Sequence, residues 1–330
     1  MNSHEIVKRT LEFNHPCRLA VSGVDFAPVQ VGPTPRQDRL WKDLIDEWGC
    51  GWIWPYKNIK GICNSHPLAN LDDMPNYTEW PEYSQDIRFK GWDEQLARAR
   101  QQGKYVVATI PHHGLFERLQ NLHGLENCMI DLIDDEARPK FEALADKVLG
   151  IMISLVQETA RRFPGGVDAW ELGDDWGTQQ AGFVSLDMWR DFFLPRYRRL
   201  GAAVKNAGCS YWLHSCGKIN ELIEGFIEAG FDLVNNMQPR TTNPQALADK
   251  YKGRITIRSG ADIQVTTGIG ERQDLNMRIE DADAWMEAFG DSAGGFIYQG
   301  EGNPKKDTFA AREYQRYSEW SEKIFGEPLP

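Results

Sequence analysis

The feature that most constrains this chain is an alternation of two local patterns. Short runs rich in β-branched and aromatic residues are each followed by a helical pattern, and several runs end in polar residues. The clear runs are 104–110 (KYVVATI), 168–172 (DAWEL), 211–213 (YWL), 232–235 (DLVN), 254–257 (RITI) and 295–298 (GFIY), with weaker ones at 19–24 and 51–54. Between them lie apolar stripes at three- and four-residue steps. Phe141, Leu144, Val148, Met152 and Val156 form one such stripe. Trp189, Phe192, Phe193, Tyr197, Leu200 and Val204 form another, with Ser185 as its N-cap, Gly208 as its stop and a kink at Pro195. Leu222, Ile223, Phe226 and Ile227 predict a third helix stopped at Gly230, and Trp285, Met286 and Phe289 a fourth stopped at Gly290.

Alternation over roughly eight units implies parallel strands joined by helical crossovers. A length of 330 residues suits one α/β barrel. The expected fold is therefore α/β, a single (β/α)8 TIM barrel over residues 1–330. A doubly wound open sheet is the alternative, but neither G-x-G-x-x-G nor a P-loop glycine pattern follows any run. The stretch from about 55 to 92, rich in proline and glycine, reads as a loop-rich N-terminal insertion over the active-site face.

Charge narrows the partners. With 37 basic and 48 acidic residues the net charge is −11, which speaks against a nucleic-acid surface and against docking on an anionic membrane. Six cysteines (17, 50, 63, 128, 209 and 216) are scattered rather than grouped as a disulfide framework. The N-terminal residues show no apolar core of a signal peptide, and the longest apolar stretch, near Val148 to Val156, is too short to span a bilayer. The expectation is a cytoplasmic protein with free thiols, able to form an oligomer.

In a barrel, chemistry sits at the C-terminal ends of the strands. The polar residues gathered there are His112 and His113; Glu171, Asp174 and Asp175, then Trp176; His214, Ser215 and Cys216; Asn235, Asn236 and Gln238; Ser259 and Asp262; and Gln299 and Glu301. His214-x-Cys216 is the sharpest signal, because alternate residues of an extended segment face one way and can present imidazole and thiolate to one metal ion. Glu301 is the best-placed oxygen donor to complete the set. Asp174 and Asp175 read as an acid–base pair or as helix caps. His112 reads as a base or a structural histidine. Glu171, Trp176, Gln238 and Asp262 are candidate substrate contacts, Asn235 and Gln238 equally loop-capping amides, and Trp52 and Trp54 candidate pocket walls. The five cysteines other than Cys216 read as bystanders.

Segments 171–179 (ELGDDWGTQ), 189–197 (WRDFFLPRY) and 213–217 (LHSCG) resemble the uroporphyrinogen decarboxylase superfamily, and within it the cobalamin-dependent methyltransferase branch. The runs 232–239 (DLVNNMQP), 260–264 (GADIQ), 46–50 (DEWGC) and 66–69 (HPLA) continue the likeness. The resemblance implies a (β/α)8 barrel holding zinc through the histidine and cysteine of H-x-C plus a later cysteine. His214 and Cys216 match the first two, but no cysteine follows Cys216, and Glu301 stands in the neighbourhood of the third. A carboxylate in place of a thiolate keeps the formal charge and makes a harder Lewis acid, suited to an O-methyl donor rather than a thiol. The Arg-rich N-terminal motif of the porphyrinogen decarboxylases themselves has no counterpart between Leu19 and Arg39.

The resulting expectation is a zinc-dependent methyltransferase. It would demethylate or methylate a small substrate and exchange the methyl group with the corrinoid of a partner protein. A lyase acting on a small carboxylate, led by Asp174 and Asp175 with His214 as base, and a non-catalytic binding barrel are the alternatives.

Overall fold

Valine and alanine at 106, 107 and 108 are buried on both faces of their strand, the pattern required where a parallel sheet has helices outside and side chains filling its interior. The same requirement recurs along the chain. The computed structural model describes residues 1–32, 44–53, 61–111, 113–266 and 274–330. Its strands are β1 (Ala20–Val21), β2 (Phe26–Gln30), β3 (Leu44–Ile45), β4 (Gly51–Ile53), β5 (Ile62–Ser65), β6 (Tyr105–Thr109), β7 (Ala169–Gly173), β8 (Ser210–His214), β9 (Leu233–Asn235), β10 (Thr256–Ser259) and β11 (Phe296–Tyr298). Eight of them, in the order β1-β11-β10-β9-β8-β7-β6-β2, are parallel and form a nearly closed barrel wrapped by helices, as the alternation predicts.

The seam falls between β1 and β2, which only Ser22–Asp25 separates. A parallel crossover needs a dozen or more residues, so the chain runs directly from one segment into the other and bridges the seam itself. Asp25, fully buried, fixes this turn. It accepts from the Val21 N–H at 2.8 Å and from both Arg18 guanidinium nitrogens at 2.6 and 2.8 Å.

One strand expectation needs correction, and one strand was not expected. The run at 51–54 does not enter the barrel, since β4 pairs antiparallel with β3 and β5 in a separate three-stranded sheet, so the insertion begins before 55, by Leu44 at the latest. The barrel position is taken instead by β2, whose sequence FAPVQ carries a proline and is mostly half-exposed. Proline is tolerated there because β2 ends the ladder and one of its sides needs no donor. The insertion packs on the helix Leu115–His123, where Arg118, itself fully buried, reaches Asp46 at 3.1 Å and lies over the Trp48 ring.

The helical stripes match their burial. All five residues of the Phe141–Val156 stripe are buried on the helix Arg138–Arg162. The Trp189–Val204 stripe is divided into Leu186–Phe192 and Leu194–Asn206. The break comes just before Pro195, which occupies the first turn of the second helix, where a missing N–H costs nothing. Ser185 accepts from the Met188 N–H as the first cap, and Gly230 in left-handed conformation ends the third helix. Among the described residues no helix is long and apolar enough to cross a membrane.

Two late helices, Leu275–Phe289 and Thr308–Phe325, close over β10 and β11. Glu313, completely buried, accepts from Arg278 at 3.0 Å and from the Ala261 N–H at 3.1 Å, while Asp281 accepts from the Asp262 N–H. Burial pushes Glu313 up to about 7 and Asp281 up to about 6. A carboxyl whose value is raised by folding binds protons more tightly in the native state, so its contribution to stability is lost as pH rises through the raised value. The melting temperature should therefore climb by about a few degrees from pH 8 to pH 6, and E313Q should flatten that rise in a thermal-denaturation series.

Candidate functional site

The strands β7 and β8 end side by side, Gly173 paired with His214. That register lays Asp174–Trp176 along Ser215–Gly217, and the Asp174 N–H donates to the His214 carbonyl at 2.8 Å. Because His214 and Cys216 are two residues apart on extended chain, their side chains emerge on one side. The imidazole Nε2 lies 3.5 Å from the Cys216 Sγ and 3.9 Å from Asp175 Oδ1. Donor atoms of Asp175, His214 and Cys216 all fall within 4.8 Å of one another, and all three residues are half-buried.

The imidazole is oriented from behind. Its Nδ1 meets the Asn235 Oδ1 at 2.6 Å, and the Asn235 amide nitrogen donates to the Arg258 carbonyl at 2.8 Å. An amide oxygen only accepts, so Nδ1 carries the ring proton and Nε2 presents its lone pair to the cluster. The Cys216 N–H donates to Asp175 Oδ1 at 2.8 Å, tying thiol and carboxylate together. The loop between them is held on every side. Trp176 N–H donates to the Ser215 hydroxyl, the Asn236 amide donates to the Ser215 and Gly217 carbonyls, and the Gly217 N–H donates to the Gln238 side chain.

The other sequence candidates are placed as follows. Glu301 is not part of this cluster, whose third member is Asp175. Its backbone carbonyl instead accepts from Arg278. Asp174 points the opposite way from Asp175, fully buried, and accepts from the Phe116 and Glu117 N–H groups at 3.0 and 2.7 Å and from the Tyr197 hydroxyl. It caps the helix Leu115–His123, and burial, with the nearby Glu117 charge, raises its carboxyl to about 7. Trp176 is fully buried, stacked on Phe116 with centroids 4.3 Å apart, so it packs the helical layer rather than a pocket wall. Glu171 is ion-paired with the buried Arg258 inside the barrel. Gln238 is buried and supports the Cys216 loop. Asp262 is buried away from the cluster, accepting from the Gln264 and Arg240 N–H groups, with its carboxyl raised by burial. His112 and Trp54 lie outside the described residues.

Beside the cluster a cavity of about 350 Å³ opens at the ends of β2, β6 and β7, lined by Gln30, Val31, Thr109, Ile110, Pro111 and His113 among others. Gly173 belongs to its wall, and a Cβ there would stand 3.9 Å from the His214 Cδ2. Gly173, paired with His214 on β8, thus stands between the cavity and the imidazole. His113, in left-handed conformation at φ 81°, holds its Nδ1 against the Asn121 amide at 3.0 Å and faces the Trp52 ring. Of these residues, the orienting Asn235 carried only an ambiguous amide signal in sequence, and Gly173 carried none.

Gly217 is required where it stands. Its φ is 79°, and a side chain would overlap the Gly177 backbone. G217A should destabilise the protein by about 2 kcal/mol or more, read as a lowered urea midpoint.

No protein-family model matches the chain. No curated protein matches it in sequence either. Solved structures do match in fold. A methyltransferase from Methanosarcina mazei superposes with a TM-score of 0.60 at 15% identity, covering 98% of this chain and 86% of that one. A 3-keto-D-glucoside 4-epimerase from E. coli gives 0.38 at 14% identity over 67% and 82% of the two chains. A D-psicose 3-epimerase from Clostridium cellulolyticum H10 gives 0.38 at 10% identity over 98% and 94%. The chain is an α/β barrel that shares its fold, over nearly its whole length, with the M. mazei methyltransferase.

Proposed function

We propose that this chain is a zinc-dependent methyltransferase. It moves a methyl group between a small O-methyl substrate, held in the cavity at the barrel mouth, and the corrinoid of a partner protein. The observation that carries the reading is the meeting of Asp175, His214 and Cys216 at the ends of β7 and β8. The H-x-C resemblance and the fold shared with a methyltransferase support it.

The donor set fits the metal. Ligands at zinc distances on a tetrahedron lie about 3.3–3.6 Å apart, close to the 3.5 and 3.9 Å separations here. Three protein donors leave a fourth position for substrate, the arrangement of catalytic rather than structural sites. Asp175 takes the part expected of Glu301. One carboxylate and one thiolate carry the same formal charge as two thiolates, with less electron donation, which suits an oxygen substrate. Bound there, zinc would polarise the methyl-bearing oxygen and stabilise the electron pair left on it when the methyl group departs.

The chain's own residues do the rest. Asn235 keeps the His214 proton on Nδ1. Val31, Ile110 and Pro111 give the cavity an apolar wall that displaces water from the substrate. The acidic surface fits a partner that delivers its corrinoid over the strand-end face rather than a nucleic acid or membrane. A reducing cytoplasm suits the free thiols.

Metal analysis of purified protein should give one zinc per chain. D175A, H214A and C216A should each lose it, and N235A should weaken binding by about 10–100-fold. E301A should leave it unchanged. Retention of stoichiometric zinc by C216A would sink the proposal, and loss of zinc in E301A but not in D175A would move the third ligand. With a reduced corrinoid supplied, the zinc-loaded protein should produce methyl-corrinoid from a methyl ether, read in the visible spectrum. Activity on a small carboxylate without any corrinoid would favour the lyase instead.

A further inference from the structure

A second group of sulfur ligands lies in the insertion, away from the Cys216 cluster. In the β4–β5 ladder Gly51 pairs with Ser65 and Trp52 with Cys63, so Asn64 is taken up as a bulge. Cys50 precedes Trp52 by two residues and faces the same side, which is the side of Cys63. Both sulfurs reach one turn of the helix Leu115–His123. The Arg118 guanidinium is 3.8 Å from the Cys50 Sγ, and the Asn121 carbonyl is 3.5 Å from the Cys63 Sγ.

The neighbouring Cys63 and burial push Cys50 well above the usual thiol value, while Cys50 draws Cys63 below it. The His66 ring adds to this. Its Nδ1 stands 3.7 Å from the Cys63 sulfur and 2.9 Å from the Asn121 carbonyl, which only accepts, so Nδ1 carries a proton facing both. Cys50 is fully buried, whereas Cys63 is half-exposed. The remaining cysteines outside the Cys216 cluster lack these features. Cys128 and Cys209 are buried and pushed up by burial, and the half-exposed Cys17 is raised by burial and by Glu327.

We propose that Cys50 and Cys63 are a redox-active dithiol that hydrogen peroxide converts into a disulfide between β4 and β5, with Cys63 attacking and Cys50 resolving. The Cys63 thiolate attacks one peroxide oxygen, the O–O bond breaks, and hydroxide leaves, giving a sulfenic acid. The Cys50 sulfur then attacks the Cys63 sulfur, the S–O bond breaks, and the departing hydroxide takes the Cys50 proton as water. The two thiols lose two electrons and the peroxide gains them, and a dithiol reductant reverses the change. The pair communicates with the barrel mouth. Cys63 rests on the Asn121 carbonyl, and the Asn121 amide holds His113 in the cavity wall.

The test needs no knowledge of the substrate. Reduced protein treated with hydrogen peroxide, alkylated and mapped by mass spectrometry should yield a peptide pair linking Cys50 to Cys63, with an intact mass lower by two hydrogens and restored by dithiothreitol. In wild-type protein, maleimide should label Cys63 about tenfold faster than Cys17, the other half-exposed cysteine away from the mouth. C50S should stop at a Cys63 sulfenic acid trapped by dimedone, C63S should give neither product, and C128A should behave as wild type. Equal labelling of Cys63 and Cys17, or peroxide treatment without the 50–63 link, overturns the proposal. Chelated and zinc-loaded protein should give the same yield of link, so a failure of the metal reading leaves this result standing.

Discussion

The register between β7 and β8 governs the mouth of this barrel. With Gly173 opposite His214, Asp175 comes level with Cys216, and one residue of slip would turn the imidazole and thiol to the other face. The register is enforced from several directions. Asp174 donates its backbone N–H to His214 and anchors its side chain under the helix Leu115–His123. Ser215, Asn236 and Gln238 stitch the following loop to β7 and β9. Adjacent aspartates thus face opposite ways, Asp174 turned inward to cap a helix and Asp175 toward His214 and Cys216.

That division was available to sequence reasoning and shows how alternation should be used. Neighbouring residues at a strand end point oppositely, a rule that separates His112 from His113 and separates Asp174 from Asp175 equally well. Taken with the H-x-C spacing, it selects Asp175 as a companion of His214 and Cys216. Glu301 was favoured by its position near the last strand, and distance around the barrel is invisible to a linear comparison. Most strands and helices were legible because parallel strands covered on both faces give unbroken apolar runs and their helices give stripes. Phe26–Gln30 was not legible, since its proline and half-exposed positions belong to a ladder end. The thiol pair escaped notice because thirteen positions separate Cys50 from Cys63 and only the antiparallel pairing of β4 with β5 brings them together.

Arg118 joins these regions physically. Its guanidinium, removed from water, is held by Asp46 and the Trp48 face from the insertion, and its helix begins on the Asp174 carboxylate. Removing one partner of such a buried charge is costly, so the insertion and the β7 end are mechanically one body.

The seam between β1 and β2 leaves the two sides of the mouth unequally laddered. Asp175, His214 and Cys216 stand at the ends of β7 and β8, each paired on both sides, whereas Gln30 and Val31, in the cavity wall, lie at and beyond the end of β2, a strand with one unladdered edge. There the seam is closed by four residues turned about Asp25, whose carboxylate, held by the Val21 N–H and the Arg18 guanidinium, takes the place of a ladder.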